Sequence, residues 1–184
     1  MATFSSSELP ESSFLALDIA RNLAADYSTK ATKSQVVELC HNIASMYFLR
    51  RGEEVAEEFL LEALEITKEF AYDEKSESAV FALAEAYNSL ACNRRFGFEQ
   101  IIKFLLQELR VYELAYEYFG TTDAERRLVA CYDTLAFNYA ERGFKKAEAF
   151  EYAQKYLRLM EKIVAKSGLI SQKRTLASKY IVFS

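Results

Sequence analysis

Glu38-Leu39-Cys40-His41 is a Glu-x-x-His step, the spacing with which helical bundles aim a carboxylate and an imidazole at one metal ion. Such a centre needs two of these steps and further carboxylates, whereas His41 is the only histidine in the chain. No metal is expected. The same imidazole follows Cys40 directly, and neighbours on a helix point in different directions, so a Cys-His nucleophile pair is not built. No Ser-His-Asp set and no glycine-rich phosphate loop ahead of a helix is present. The chain is expected not to be an enzyme and to take no cofactor.

Charge and composition narrow the partners. Lys and Arg number 23 against 27 Asp and Glu, a net charge of -4 spread along the chain, which makes no basic field for a phosphate backbone. Nucleic acid is therefore excluded. The most apolar runs, Phe59 to Ile66 and Ile101 to Leu109, are broken by Glu, Lys or Gln and fall short of a membrane span of about 20 residues. Residues 1–13 are Ser-rich, with neither a basic start nor an apolar core, and read as a disordered or leader segment ahead of one domain at 14–184. Cys40, Cys92 and Cys131 are odd in number and widely spaced among apolar neighbours. They are expected to be buried free thiols, which places the chain in the cytoplasm.

With 51% hydrophobic residues, 5 Gly and a single Pro, the chain suits long helices joined by short turns. Self-comparison shows how they are arranged. Tyr87-Asn88-Ser89-Leu90-Ala91-Cys92-Asn93 reads again as Tyr132-Asp133-Thr134-Leu135-Ala136-Phe137-Asn138, an offset of 45. Val36-Val37-Glu38 through Ile43-Ala44 matches Leu83-Ala84-Glu85 through Leu90-Ala91, and Lys173 through Tyr180 follows Glu125 through Tyr132. The segments between repeat too: Phe59 through Leu64 returns as Phe104 through Leu109, and Ala16 through Ile19 as Ala63 through Ile66.

Each unit holds two helical apolar stretches. In the first full pair Val55, Phe59, Leu60, Ala63, Ile66, Thr67 and Phe70 share a face, and Glu54, Glu57, Glu58, Glu62, Glu65 and Lys68 lie opposite. Gly52, Gly97, Gly120, Gly143 and Gly168 mark stops, and Thr121-Thr122-Asp123 can cap the next start. Eight helices are predicted, at about 11–28, 32–51, 53–72, 76–94, 98–119, 122–142, 144–167 and 170–182. They make an orphan outer helix, three pairs and an orphan C-terminal helix. Their stacking predicts an all-α solenoid of antiparallel hairpins with a concave groove.

Ile43, Ala44, Tyr47, Ala56, Leu60, Ala63 and Leu64, and again Leu135, Ala136, Tyr139, Gly143, Ala147, Ala149 and Ala153, resemble the tetratricopeptide pattern of a Leu-Ala-and-Tyr helix followed by one with spaced Ala. The resemblance covers about residues 14–180 and is similar to long-unit bacterial forms. It departs from the family in unit length, in lacking the terminal Pro, and at Arg94, which stands where a Tyr is usual. The resemblance implies a right-handed superhelix that binds a protein, a peptide or a partner helix in its groove. Its geometry would stack His41, Asn88 and Asp133 in one column, Ser45, Cys92 and Phe137 in the next, and Phe48 with Arg95 in a third. Asn suits a peptide backbone because its amide both donates and accepts. The other reading is structural. Half units at both termini would leave apolar faces, and Tyr180, Ile181, Val182 and Phe183 could pack on another subunit, giving a homo-oligomer or part of a longer repeat protein.

Overall fold

The computed structural model describes residues 11–50, 52–93, 95–141 and 145–167. Among them are seven α-helices: α1 (Glu11–Tyr27), α2 (Lys30–Leu49), α3 (Glu53–Glu74), α4 (Glu77–Ala91), α5 (Phe98–Phe119), α6 (Thr122–Glu141) and α7 (Lys146–Ser167). The helix read at 170–182 lies outside the described residues, as do Gly143, Gly168 and the assembly residues Tyr180, Ile181, Val182 and Phe183. The chain divides into two compact units, one up to Phe104 and one from Leu105 on.

In the first unit α1 packs on α2, α2 on α3 and α3 on α4, each pair antiparallel. Phe14 near the start of α1 meets Tyr47 near the end of α2, with ring centroids 6.4 Å apart. Lys30 and Lys33 at the start of α2 pair with Glu74 and Glu69 at the end of α3. Leu17, Ala20, Val36, Cys40, Ile43 and Ala63 form a core against which Phe14, Tyr47 and Phe59 pack. The small side chains of Ala20 and Ala63 let the helix axes approach, and the large ones fill the adjoining groove.

The second unit repeats this logic. Tyr112 and Glu113 of α5 meet Arg127 and Tyr132 of α6. Lys166 at the end of α7 reaches back to Glu125 at the start of α6. Tyr139 of α6 and Tyr152 of α7 stack with centroids 5.7 Å apart. Corresponding repeat positions have similar burial: Ile43, Leu90 and Leu135 are fully buried, and Ala44, Ala91 and Ala136 are buried.

The turns use more than glycine. Gly52, Gly97 and Gly120 fall between helices as their sequence positions predict, Gly120 with φ +62, and the Thr121 hydroxyl caps α6 by accepting from the Ala124 amide. Two further turns among the described residues place Ser28 at φ 40 and Lys75 at φ 49. There the following N-caps, Thr29 and Ser76, set the break. A left-handed non-glycine residue carries no compositional mark of its own in the sequence.

Candidate interaction surfaces

The residues expected in a groove lie on α2, α4 and α6. His41 and Phe48 are half-buried and Ser45 is exposed on α2; Asn88 is half-buried on α4 and Cys92 is exposed just after it. Asp133 is half-buried on α6, and Phe137, one turn on, is 60% exposed. Two of the contacts are local: the Ser45 hydroxyl donates to the His41 carbonyl, and the Cys92 thiol points to the Asn88 amide oxygen at 3.8 Å. Arg95 instead pairs with Glu54 and Glu57 in the acidic start of α3, which is also the turn whose carboxylates suit the positive helix end.

Burial lowers the His41 pKa, with Glu85 of α4 pulling the other way. The folded imidazole therefore binds its proton less readily than the unfolded one, so stability is fully present above the unfolded pKa and is lost as pH falls. The expected result is a melting temperature that drops between about pH 7 and about pH 5.5, with His41→Gln flattening that slope. Because His41 is the only histidine, an unchanged slope in the variant would sink this assignment.

Two thiols are structural. Cys40 is fully buried beside Glu62, and desolvation pushes its pKa up to about 12. Glu62 in turn accepts two hydrogen bonds from Arg21, at 2.8 and 2.5 Å, tying α1 to α3. Cys131 is buried against Glu108, and desolvation raises its pKa as well. Cys92, expected to be buried, is exposed, because it stands at the C-cap where α4 has already ended. A native chain should thus give one fast-reacting thiol, lost in Cys92→Ser, with Cys40 and Cys131 reacting only on unfolding. Fast labelling of a second thiol would contradict this burial pattern.

Among the described residues no three His, Cys, Asp or Glu side chains gather as a metal site would, and no helix is long and apolar enough to cross a membrane. Two features draw more attention. On α1, Leu17 and Ala20 are buried, yet Leu15, Ile19, Leu23 and Tyr27, spaced four apart, are 62%, 52%, 39% and 68% exposed. The helix is therefore apolar on two sides. In the second unit a cavity of about 290 Å³ lies between α5, α6 and α7. Leu128, Tyr132 and Leu159 floor it, and Glu113, Lys155, Arg158 and Lys162 rim it. Glu113 accepts from the Tyr132 hydroxyl and Lys155 pairs with Glu151. Arg158 and Lys162 stand exposed.

These features define an all-α protein of consecutive antiparallel helix pairs. No family model and no curated protein matches the chain. Among solved structures it is similar to BtubC (BKLC) from P. vanneervenii, with 17% identity, a TM-score of 0.49, and coverage of 94% of this chain and 71% of that one. It is also similar to the DHF58 filament, with 16% identity, a TM-score of 0.42 and 92% of each chain covered. The DHF79 filament shows 15% identity and a TM-score of 0.36, over 92% of this chain and 95% of that one. The tetratricopeptide assignment is corrected, since no family model, a repeat family's included, matches the chain. The helices give the physical reason. At 22 residues for α3, α5 and α7 and 20 for α2 and α6, they are too long for two to fit a unit of about 34 residues. Shared Leu-Ala-Tyr spacing reports how any close-packed helical hairpin is built.

Proposed function

We propose that the protein is an assembly module: it associates with protein partners, further copies of itself included, through helix faces its own fold leaves uncovered, and performs no chemistry. The observation that carries this reading is α1. A helix that buries Leu17 and Ala20 on one side and still presents Leu15, Ile19, Leu23 and Tyr27 to solvent has the pattern of an element covered on both sides. Exposed apolar side chains that are contiguous, as residues four apart on a helix are, mark association surfaces.

Sedimentation velocity over a wide concentration range tests the proposal. The average mass of the unaltered chain should rise with concentration, and Leu15→Arg with Ile19→Arg should hold it at the monomer while helicity and melting temperature stay nearly constant, because exposed sites tolerate substitution. A chain that is monomeric throughout would overturn self-association. That outcome would favour a second reading, a partner segment held on the inner-helix residues, for which the exposure of Phe137 beside Asp133 speaks.

A further inference from the structure

Resting on that reading, we infer that the occupant of the α5–α6–α7 cavity is α1 of a second copy of this chain, so that copies join through two different surfaces. Charge and shape both favour the match. The cavity has an apolar floor of Leu128, Tyr132 and Leu159, and its volume suits a few aliphatic side chains from a helix laid across it. Along its α7 rim stand Lys155, Arg158 and Lys162, which share one helix face at steps of three and four. Arg158 and Lys162 are exposed, and among the described residues neither has an acidic partner.

The α1 surface is the complement. Its stripe of Leu15, Ile19 and Leu23 supplies the aliphatic side chains. Glu11 lies one turn before Leu15, and Asp18 and Asp26 each follow a stripe leucine by three residues, so carboxylates flank the stripe. The one cation of α1, Arg21, makes its two shorter bonds to Glu62 of α3 and a longer one, 3.3 Å, to Asp18, whose side chain stays 65% exposed. Glu11 and Asp18 are seven residues apart, as are Lys155 and Lys162, a spacing of about 10 Å on both helices. Opposite charges at matching intervals steer and register such a contact.

Joining one surface to a different one has a consequence for assembly. Each added copy brings a new α1 stripe and a new cavity, so the contact does not saturate at a dimer unless the rotation closes a ring. Two variants separate the surfaces. Leu15→Arg with Ile19→Arg disables the stripe and keeps the cavity; Arg158→Glu with Lys162→Glu disables the rim and keeps the stripe. All four positions are exposed, and circular dichroism verifies folding. Each variant alone should be monomeric by sedimentation velocity. Mixed, they have one intact surface of each kind and should form a one-to-one complex that grows no further, weakening as salt is raised. If the rim variant assembles as the unaltered chain does, the cavity is not the docking site, while the assembly reading stands. If both are monomeric and the mixture stays monomeric, the pairing of these two surfaces is overturned. If the unaltered chain never associates, both this inference and the assembly reading fail.

Discussion

Asn93→Ala is expected to cost about 2–4 kcal/mol, the penalty for leaving a buried acceptor and a partly buried donor unsatisfied together. Asn93 is fully buried beyond the end of α4. Its amide nitrogen donates to the Glu53 carbonyl at the start of α3, and its amide oxygen accepts from the Arg95 backbone N–H, both at 3.1 Å. One side chain thus fastens the end of one helix to the beginning of its antiparallel neighbour and shapes the turn that follows. Asn93→Asp discriminates this account from simple loss of packing. A carboxylate still accepts from Arg95 but faces the Glu53 carbonyl with no proton to donate, so this isostere should destabilise at least as much at neutral pH. It should recover part of the loss in mild acid, where a carboxyl can donate again. Chemical denaturation at both pH values reads the difference; an Asp variant as stable as the parent would refute the role given to the amide nitrogen.

The second large effect is expected at Gly52, where a Cβ would come within 2.7 Å of Tyr47 Cδ1. That ring cannot simply swing aside, because it stacks on Phe59 at a centroid distance of 6.2 Å and meets Phe14. The backbone is held as well, since the Gly52 N–H donates to the Tyr47 carbonyl at 2.9 Å. Gly52→Ala should therefore cost about 1–3 kcal/mol by overpacking. In a Tyr47→Leu background the cost should largely vanish, as residues in direct contact couple. A Gly52→Ala penalty that persists undiminished without the ring would place its cause in the backbone.

The two residues differ in how far their roles were legible. Gly52 was marked as a helix stop by its type, and it is one. The ring packed against it is a contact five residues back along the chain, brought close by the turn itself. Asn93 recurs as Asn138 in the next unit, so repetition singled out the position, yet the two do different things. The Asn138 amide donates to the Thr134 carbonyl within its own helix, whereas Asn93 stands past its helix end and reaches another. Arg95, expected on the groove side, pairs with Glu54 and Glu57, partners that spacing alone does not name. The resemblance to a known repeat family failed for a related reason. Its signature residues describe how paired helices pack, and packing is shared by hairpin proteins of many kinds.

By itself the sequence determined that the described residues are built of helices, with α5 running from Phe98 to Phe119 and α1 to α4, α6 and α7 within a few residues of their expected bounds. Those properties follow from periodicity, caps and short connections, all of which are local along the chain. The tertiary structure alone decided that α1 keeps a second apolar face in solvent, that Cys92 is exposed while Cys40 and Cys131 are not, and that Lys155, Arg158 and Lys162 rim an apolar cavity. Each of these depends on which face a helix turns toward a neighbour distant in sequence. Periodicity gives the angle between two faces of a helix, and only packing says which of them is covered.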